Sequence, residues 1–361
     1  MSESPATVLL TGATGYLGTL TLGRLLADPQ VEVLCLIRAD DDAHAAQRLQ
    51  ETLKRLWSEP DPSQASRVRA VACDLSSAVG DLPGLGDITH ILHCAASVRF
   101  DLELDEARLA NKATAGVVLA LARRAPRLEH LLHVSTAYVA GTHKGRFAET
   151  DLDVGQGFRN TYEQTKFEAE GFVRAGAGDL PLSVARPSIV VGEARTGWTT
   201  TFNVLYPLLR AYSRGLVTQL PADSGAIVDI VTGDYVADAL AHLLLRSGEV
   251  GGTYNLVAGP GVTDVASVRD LAAEAFDLPP AVFVESTEGI PAPILSLLGY
   301  LNVHASFDDR NARSVLDEAG IHPVPVESAL RTAIAYGLES KWGRRAVSRD
   351  VAPDFSEEAA A

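Results

Sequence analysis

The sequence has few cysteines, few basic residues and no long apolar runs. No apolar stretch reaches the roughly 18 residues that a membrane-spanning helix requires, so no integral membrane segment is expected. Residues 1–5 lack the basic and apolar segments of a secretory signal peptide. The three cysteines, Cys35, Cys73 and Cys94, each lie in an apolar run, which predicts buried free thiols and a cytoplasmic location.

Acidic residues outnumber basic residues by 46 to 31, which gives a net charge of -15 at pH 7. This charge argues against nucleic acid as a partner, because the phosphates would be repelled, and against an anionic membrane surface. Hydrophobic residues make up 47% of the chain and charged residues 21%, a composition typical of a globular protein with a full-sized core. The 361 residues give room for about two domains, or for one large α/β unit with a cap.

Apolar runs and amphipathic segments alternate through the first half of the chain. A run that is apolar throughout is typical of a strand buried on both faces, in a parallel sheet that helices cover on each side. We therefore predict an α/β fold with a Rossmann-type doubly wound parallel sheet. The predicted strands are 6–10, 31–37, 67–73, 89–94, 130–134 and 182–191, with helices starting near residue 18 and over 43–57, 104–124 and 160–175.

A glycine-rich segment, 11–18, follows the first predicted strand and opens the first predicted helix. In a Rossmann fold this position holds the pyrophosphate of a dinucleotide against the free amides of the helix N-terminus. Gly12 permits the tight turn, Gly15 lets the backbone approach the phosphates, and Gly18 lets the helix pack closely on its strand. The residues predicted to bind the dinucleotide here are Gly12, Thr14, Gly15, Tyr16, Leu17 and Gly18.

The alternation breaks down after Gly192, where a smaller region of mixed helix and loop begins. Within it, segments 227–231 and 253–257 have the apolar pattern of strands that return to the sheet, with a helix between them. The last residues are polar and acidic. The predicted division is 1–192 with 226–257 for the dinucleotide-binding domain, 193–225 with 258–347 for the substrate-binding region, and 348–361 for a flexible acidic tail.

The residue after the second predicted strand distinguishes the two nicotinamide dinucleotides. A carboxylate here would bind the ribose 2′-hydroxyl of NAD, whereas this sequence has Arg38, which can pair with the 2′-phosphate of NADP. Arg48, on the next helix, is a second candidate partner for that phosphate. The sequence therefore predicts NADPH as the cofactor, and the nearby carboxylates of Asp40, Asp41 and Asp42 keep an NAD preference open.

Two further strand ends are expected to contact the same cofactor. Asp74 and Leu75 follow the third predicted strand, at the position that meets the adenine edge in a doubly wound sheet. Ala95 and Ala96 follow the fourth predicted strand and would give the cofactor a flat floor of small side chains.

Tyr162 and Lys166 are four residues apart on a predicted helix, so their side chains share one face. A phenol has a pKa of about 10, and the ammonium of Lys166 is expected to bring the pKa of Tyr162 towards neutral pH. Thr136, at the end of the fifth predicted strand, adds a hydroxyl for the substrate oxygen, and Ser135 is its rival for this role. Together these groups predict stabilisation of the alkoxide that forms when hydride reaches a carbonyl.

Two His-x-x-His pairs, His90/His93 and His130/His133, have a spacing that invites a metal-binding interpretation. Each pair lies in a predicted strand, where residues i and i+3 point to opposite faces of the sheet. Chelation within either pair is therefore not expected, and no metal site is predicted.

These motifs together resemble the extended short-chain dehydrogenase/reductase superfamily over nearly the whole chain. Within that superfamily, the sequence is similar to the thioester reductase domains of peptide and polyketide synthetases, to carboxylic acid reductases and to fatty acyl-CoA reductases. The segments that carry the resemblance are 11–18, 36–38, 46–49, 93–98, Asn111, 133–139, 162–166 and 186–192.

The resemblance carries residue roles with it. It implies that Thr136, Tyr162 and Lys166 form a catalytic triad, with Tyr162 and Lys166 also contacting the cofactor. It implies that Arg38 and Arg48 bind the 2′-phosphate.

The same resemblance implies that Pro187 and Ser188 lie beside the nicotinamide and that Asn111 has a supporting structural role. For activity, it implies NADPH-dependent reduction of an acyl thioester to an aldehyde or onward to an alcohol. The thioester would be formed with coenzyme A or with a carrier protein, for which the basic segment 123–127 is a candidate docking surface. Trp198, Phe202 and Tyr206 are expected either to line an acyl pocket or, equally, to pack in the core.

Three other functions are alternatives to this interpretation. A ketone or hydroxyl oxidoreductase for a small polycyclic or sugar-like substrate would use the same triad. A sugar-nucleotide dehydratase would need an Asp-Glu pair after Thr136, where the sequence has Ala137 and Tyr138. A non-enzymatic dinucleotide sensor would not need Tyr162 and Lys166, which this chain has.

Overall fold

The protein is built around one parallel sheet. A computed structural model describes residues 5–77, 80–246, 250–287 and 298–356. Its strands, numbered along the chain, are β1 (Ala6–Thr11), β2 (Val31–Ile37), β3 (Val68–Ala72), β4 (His90–His93), β5 (His130–Val134), β6 (Lys144–Phe147), β7 (Leu182–Pro187), β8 (Ile189–Val191), β9 (Gln219–Leu220), β10 (Ile227–Val228), β11 (Ile230–Thr232), β12 (Thr253–Leu256), β13 (Thr263–Asp264), β14 (Val282–Phe283) and β15 (His304–Phe307).

Seven of these strands form the central sheet, in the order β12-β7-β5-β4-β1-β2-β3, and each pairing between neighbours is parallel. Strands β4 and β5 are buried along their whole length, as expected for a sheet with helices on both faces. The strand order reverses between β1 and β4, and open sheets bind ligands at such a reversal. The predicted Rossmann-type doubly wound fold is therefore confirmed.

Two of the helices next to the predicted site begin at residues whose side chains cap them. Asp41 accepts a hydrogen bond from the amide of His44 at 2.7 Å, and Asn160 accepts one from the amide of Glu163 at 2.9 Å. The α-helices in the described residues are α1 (Tyr16–Ala27), α2 (Asp42–Leu56), α3 (Pro62–Ala65), α4 (Leu104–Arg108), α5 (Thr114–Arg124), α6 (Thr161–Ala177), α7 (Leu205–Tyr212), α8 (Gly233–Leu245), α9 (Val265–Phe276), α10 (Arg310–Leu316) and α11 (Val326–Glu339).

The predicted helix over 104–124 is interrupted by a π-helical turn, Leu109–Ala113, between α4 and α5. Such turns are rare in proteins and are frequent at functional sites. This turn carries Asn111, which is buried and faces the segment that follows β4.

The sequence-based strand prediction is wrong at one edge of the sheet. The predicted strand 182–191 is two strands, because the chain leaves the central sheet after Pro187 and β8 pairs with β11 instead. The predicted strand 227–231 is likewise split at Asp229, whose buried carboxylate accepts a hydrogen bond from the amide of Ala258 at 2.9 Å. Its halves, β10 and β11, pair with β13 and β8, so β12 alone of the two predicted returning strands joins the central sheet.

A buried ion pair joins β7 to α6. The side chains of Arg186 and Glu170 are both 0% exposed and approach to 2.6 Å, and Arg174 pairs with the same carboxylate at 2.6 Å. Loss of one partner would leave an uncompensated charge in the core, which is strongly destabilising. The pair thereby fixes α6, which carries Tyr162 and Lys166, against the sheet.

The last described residues pack on the rest of the protein. Arg349 pairs with Glu193 at 2.7 Å, and the carboxylate of Asp350 accepts hydrogen bonds from the amide and hydroxyl of Ser58. The prediction of a flexible tail is therefore wrong for 348–356, since short polar side chains find partners across the fold. The rest of that predicted tail, 357–361, lies outside the described residues, as does 288–297 of the predicted substrate-binding region.

Candidate active site

A cleft of about 1090 Å³, including its open mouth, crosses the carboxyl ends of β1, β4, β5 and β7. The predicted site residues that line it are Gly12, Gly15, Tyr16, Leu17, Gly18, Ala96, Thr136, Tyr162, Lys166, Pro187 and Ser188. The predicted site residues outside its lining are Thr14, Arg38, Arg48, Asp74, Leu75 and Ala95. The structure thus brings the chemical groups and the glycine loop into one space.

The glycine loop leaves no room for side chains at two of its positions. Gly12 has a φ of +78°, and a Cβ there would lie 2.7 Å from the amide nitrogen of Ala95. A Cβ at Gly18 would lie 2.0 Å from the carbonyl oxygen of Gly12. Helix α1 starts after Gly15 without a side-chain cap, and its first residues line the cleft, so its N-terminal amides can hold an anion there.

Tyr16, in the glycine-rich segment, and Arg55, outside it, make contacts that the sequence did not predict. The buried hydroxyl of Tyr16 donates a hydrogen bond to the carbonyl oxygen of Trp198 at 2.8 Å, which ties α1 to the substrate-binding region. The guanidinium of Arg55, on α2, donates to the carbonyl oxygen of Thr14 at 3.2 Å. An arginine one helix away from the loop has no local sequence signal, so Arg55 could be found only from the fold.

Arg38 is exposed at the end of β2, and the side chain of Arg48 donates a hydrogen bond to its carbonyl oxygen. The two arginines that were predicted at the 2′-phosphate are therefore neighbours. The competing carboxylates have other partners: Asp41 caps α2, and Asp42 accepts a hydrogen bond from the amide of Ala72 at 2.8 Å. Asp40 lies 3.3 Å from the ring of His44, its neighbour on the next turn.

The residues predicted to contact the cofactor after the third and fourth strands differ from one another in their surroundings. Asp74 is exposed, and the amide of Ser76 together with the nearby Arg38 lowers the pKa of its carboxyl. The side chain of Leu75 is buried in the core, so it is turned away from the cleft. The amide of Ala95 donates to the hydroxyl of Thr11 at 3.2 Å, an internal contact of the strand ends.

Thr136, Tyr162 and Lys166 meet at the floor of the cleft. The hydroxyl of Thr136 donates to the carbonyl oxygen of Pro187 at 3.2 Å and is hydrogen-bonded to the phenol of Tyr162. The ammonium of Lys166 donates to the carbonyl oxygen of Val134 at 2.8 Å. These contacts hold the three side chains in place without a ligand.

Burial dominates the electrostatics of this site. It raises the pKa of Tyr162 to about 12, and the hydrogen bond between Tyr162 and Thr136 offsets part of this rise. Burial also lowers the pKa of Lys166 to about 8. In the ligand-free site the phenol is therefore not brought towards neutral pH, because desolvation of the phenolate dominates its pKa.

Ser135, the predicted rival of Thr136, also lines the cleft, but its hydroxyl lies beside the carboxylate of Glu170. Asn111 supports the site from behind: its side-chain oxygen accepts a hydrogen bond from the amide of Ser97 at 2.7 Å. Its side-chain nitrogen donates to the hydroxyl of Thr165 at 2.9 Å. The π-helical turn thus ties the segment after β4 to α6.

An aromatic wall faces the three chemical groups. The ring of Phe100 lies 5.7 Å from that of Tyr162 and 5.2 Å from that of Tyr300, and Tyr138 packs edge-on against Tyr300 at 5.0 Å. Val204 adds an aliphatic surface. Sequence reasoning missed this wall because its members come from segments that are far apart in the chain.

The predicted acyl pocket is wrong. Trp198 is buried against Tyr16 at 5.9 Å, and the ring of Phe202 packs on that of Tyr206 at 5.0 Å. Neither Trp198, Phe202 nor Tyr206 lines the cleft. Large aromatic side chains were correctly expected at the substrate-binding region, but these three pack the core where it meets the sheet.

The four strand histidines pair across β4 and β5 rather than along each strand. His90 is opposite His130 and His93 is opposite His133, with 5.2 Å between the last two rings. Burial lowers the pKa of all four, most strongly for His133, so these rings are neutral. Within the described parts of the chain, no cluster of three or more acidic, histidine or cysteine side chains could hold a metal ion.

The cysteines are free. Cys35 and Cys73 are buried as predicted, whereas Cys94 is half-buried and lines the cleft. Burial raises the pKa of Cys94 to about 11, which keeps its thiol protonated.

The basic segment 123–127 comprises the last two residues of α5 and the start of the loop that leads to β5. It is therefore at the amino edge of the sheet, whereas the cleft is at the carboxyl edge. Arg123 donates to the carbonyl oxygen of Gly176, and Arg124 lies 3.4 Å from Asp81. The segment is a poor docking surface for a carrier that must deliver a thioester to the cleft.

The family model described as male sterility protein, a model of NAD-binding domains, matches residues 10–240. The chain belongs to this family. The match runs from the end of β1 into α8 and confirms the family resemblance that the motifs indicated. Most of the residues that line the cleft, from Gly12 to Val204, lie within the matched range.

Two curated relatives illustrate the range of this likeness. Isonitrile lipopeptide synthase of Streptomyces coeruleorubidus is 32% identical over 256 residues, 67% of this chain and 17% of the synthase. Fatty acyl-CoA reductase 1 of Gallus gallus is 31% identical over 281 residues, 67% of this chain and 55% of the reductase. The chain therefore spans about half, or less, of the length of the curated relatives it matches.

Among solved structures, the terminal R domain from the myxalamid PKS-NRPS biosynthetic pathway has the same fold, with a TM-score of 0.81. The superposition covers 95% of this chain and 93% of that domain, at 24% identity. At this identity the likeness bears on the fold alone. Across the described helices of the protein, none is both long and apolar enough to cross a bilayer.

Proposed function

We propose that this chain reduces an acyl thioester to an aldehyde, with NADPH as the hydride donor. The observation that carries the proposal is the cleft in which Thr136, Tyr162 and Lys166 face the same space as the glycine loop. The family supports it further, because one relative is named as a reductase of fatty acyl-CoA, which is an acyl thioester.

The glycine loop fits a dinucleotide. A side chain at Gly12 or Gly18 would occupy space that backbone atoms already fill, and the uncapped amides at the start of α1 would hold the pyrophosphate. Pro187 and Ser188, which line the cleft, would lie beside the nicotinamide. When bound, NADPH would supply the hydride, and every other group at the carbonyl would come from the protein.

NADPH is preferred over NADH in this proposal because of the charges at the end of β2. Arg38 is exposed there, with Arg48 held against its backbone, so two guanidinium groups are available to a 2′-phosphate. The nearby carboxylates of Asp41 and Asp42 each accept a hydrogen bond from a backbone amide, so both already have a structural role.

Tyr162 is the proposed proton donor. With a pKa of about 12, its phenol carries a proton at neutral pH. The hydroxyl of Tyr162 would donate a hydrogen bond to the substrate oxygen as negative charge develops on it. The hydroxyl of Thr136 would add a second hydrogen bond by turning away from the carbonyl oxygen of Pro187. Lys166, with a pKa of about 8, is mainly charged at pH 7 and favours that negative charge.

The proposed reaction balances with one NADPH for each thiol released. Hydride addition to the thioester carbon and protonation of its oxygen give a hemithioacetal. Collapse of the hemithioacetal breaks the carbon–sulfur bond, which releases the thiol and leaves an aldehyde. A second round on the aldehyde would oxidise a second NADPH and give the alcohol.

A substrate panel tests this proposal. Purified protein with NADPH would be given acyl-coenzyme A thioesters, acyl thioesters of a carrier protein, plain ketones and sugar nucleotides, with the Tyr162→Phe variant as the control. Thioesters should be the substrates on which NADPH is consumed. Consumption on ketones alone would replace the proposal by a ketone oxidoreductase, and tight NADPH binding with no turnover on any substrate would favour a dinucleotide sensor.

A further inference from the structure

A buried carboxylate lies directly behind the part of the cleft wall that is proposed to face the nicotinamide. Asp229 is 2% exposed and lies between β10 and β11. Its backbone carbonyl oxygen accepts a hydrogen bond from the amide of Ile189 at 3.3 Å, and the hydroxyl of Ser188 lies beside its carboxylate. Ser188 and Ile189 both line the cleft, whereas Asp229 does not. One layer of residues therefore separates this carboxylate from the cleft.

The carboxylate of Asp229 has no cationic partner in the described parts of the chain. It accepts a hydrogen bond from the amide of Ala258 at 2.9 Å, and the charged side chain that acts on it is Asp309, which has the same sign. Burial raises the pKa of Asp229 to about 6, so the group is still largely ionised at pH 7. Such a charge is costly, because buried charges in proteins are normally paired.

Two other buried carboxylates of the protein are better compensated. Glu170 pairs with Arg186 at 2.6 Å. Glu149, which is 2% exposed like Asp229, accepts hydrogen bonds from three backbone amides at distances of 2.6, 3.0 and 3.0 Å. Asp229 accepts one amide hydrogen bond, so its charge is the least compensated of the three. A positive charge close to Ser188 would therefore be strongly favoured.

Hydride transfer creates a positive charge at this place. Loss of hydride converts the uncharged nicotinamide of NADPH into a cation. In the proposed function this ring lies beside Pro187 and Ser188. Among the described residues that line the cleft, Lys166 alone is charged, and its ammonium would repel a cationic ring. The negative charge that could balance the ring is thus the carboxylate behind Ser188.

We propose that Asp229 is the counter-charge of the oxidised nicotinamide: its carboxylate, acting across Ser188, stabilises the cationic ring of NADP⁺ relative to the uncharged ring of NADPH. This inference rests on the dinucleotide site of the proposed function and does not depend on which carbonyl is reduced. Because the positive charge develops as the hydride leaves, the same carboxylate favours hydride transfer to the substrate.

The ratio of two dissociation constants measures this effect. Asp229→Asn removes the charge and keeps an oxygen for the amide of Ala258. It should weaken NADP⁺ binding at least about fivefold at pH 7.5 and change NADPH binding by less than about twofold, because only the oxidised ring is charged. Fluorescence titration without substrate gives both constants. A loss of the same factor for both forms would mean that Asp229 only shapes the site, and would overturn the inference.

Glu149→Gln is the matched control. Glu149 is equally buried and also loses one negative charge in this variant, but its carboxylate contacts the backbone of β12 and α10 instead of a residue of the cleft lining. The ratio of the two dissociation constants should stay within about twofold of that of the unmodified protein. A similar shift in both variants would assign the effect to net charge and contradict the inference. Melting temperatures show whether each variant is folded.

The unmodified protein provides a test that needs no variant. Asp229 loses its charge as the pH falls through about 6, so the preference for NADP⁺ over NADPH should decrease several-fold between pH 7 and pH 5. The phosphates are common to both forms, so their titration cancels in the ratio. If Asp229→Asn does not fold, this measurement decides, and an unchanged ratio between pH 7 and pH 5 overturns the inference.

The other titratable groups around Asp229 do not produce this pH dependence. They are Asp309, which pairs with Arg313 at 3.0 Å, and the phenols of Tyr138 and Tyr235. Burial raises the pKa of both phenols, so they stay protonated from pH 5 to pH 7. Asp309→Asn should therefore keep the pH dependence, and its loss in that variant would contradict the assignment to Asp229.

These binding measurements distinguish the inference from the proposed reaction. If no thioester is reduced but the preference for NADP⁺ depends on Asp229 as described, thioester reduction fails and the counter-charge stands. If thioesters are reduced and the ratio depends neither on Asp229 nor on pH, the counter-charge fails and the reaction stands. A protein that binds neither form of the dinucleotide overturns both.

Discussion

The two walls of the active-site cleft are built in different ways. The wall that would face the dinucleotide comes from strand ends and from the starts of helices, so its key groups are backbone amides, close-packed glycines and a triad on β5 and α6. The opposite wall consists of Phe100, Tyr138, Val204 and Tyr300, which come from four separate segments. The first wall follows from the sheet itself, whereas the second depends on how distant segments pack. In the proposed reaction, the chemical groups therefore depend on the sheet, whereas substrate choice would depend on side chains from distant segments.

Replacing a tyrosine by phenylalanine on each wall should give the largest difference in kcat between the two walls. Tyr162→Phe removes the proposed proton donor and should lower kcat by at least about two orders of magnitude with an unchanged melting temperature. Tyr138→Phe, on the opposite wall, should lower kcat by less than about tenfold. Steady-state kinetics on one thioester would compare them, and similar losses in both variants would break the distinction between the walls.

A pair of glycines tests how far the dinucleotide wall depends on close backbone approach. Gly12 and Gly155 both have a φ of +78°, but a Cβ at Gly12 would lie 2.7 Å from a backbone nitrogen, whereas a Cβ at Gly155 would meet nothing within 4 Å. Gly155→Ala should cost the roughly 1–2 kcal/mol of a left-handed alanine. Gly12→Ala should cost more and also abolish NADPH binding. Denaturant unfolding and cofactor titration measure both effects, and equal costs would show that the loop is not tightly packed.

The difference between the walls also explains what could be predicted from the sequence. The glycine loop, Arg38 and the Tyr162–Lys166 pair were predictable because their spacing is local and follows from regular strands and helices. The aromatic wall was not, because nothing in the sequence near Phe100 indicates that Tyr300 will pack 5.2 Å away.

Errors in the prediction have the same origin. Segment 227–231 has the apolar pattern of a sheet strand, but the buried carboxylate of Asp229 is hydrogen-bonded to Ala258 and interrupts it. Trp198 has the size and aromatic character of a ligand-binding residue, yet it is buried and its ring nitrogen donates to the carbonyl oxygen of Val347. The apolar pattern of a sequence indicates which side chains are buried, but it does not show whether they line a pocket or pack in the core.

Arg38→Ala tests whether the end of β2, at the outer end of the dinucleotide wall, binds the 2′-phosphate of NADPH. It should weaken NADPH binding by roughly 1–3 kcal/mol, the loss of a charge-assisted hydrogen bond, and leave NADH binding nearly unchanged. Arg310→Ala removes a similarly exposed arginine far from β2 in sequence and serves as the control. Fluorescence titration gives both dissociation constants, and an equal loss for NADH and NADPH would show that Arg38 does not bind the 2′-phosphate.

The pH dependence of activity tests Lys166. Its ammonium has a pKa of about 8, so it is charged below this pH and neutral above it. We expect kcat/KM to fall as the pH rises through about 8, by up to tenfold per pH unit. Because the folded-state pKa is depressed from 10.5, the unfolded chain holds more protons between these values, and stability should rise there with pH. Activity that stays constant to pH 10 would contradict the assignment.

The smallest effect is expected on the aromatic wall. Phe100→Leu keeps an apolar surface but removes the ring next to Tyr162, so KM for a thioester should rise a few-fold while kcat changes little. Phe172→Leu, at an exposed position on α6, is the matched control. A fall in kcat comparable to that of Tyr162→Phe would show that the wall takes part in the chemistry.

The most direct measurement of the central claim follows NADPH and free thiol together in one reaction. The protein would be mixed with NADPH and an acyl-coenzyme A, with absorbance recording NADPH and a thiol reagent recording coenzyme A. We predict that thiol appears in step with NADPH consumption, in a ratio of one to one for the aldehyde or one to two for the alcohol, and that Tyr162→Phe suppresses both signals. Consumption of NADPH on ketones or aldehydes, with no thioester ever yielding thiol, would contradict the account.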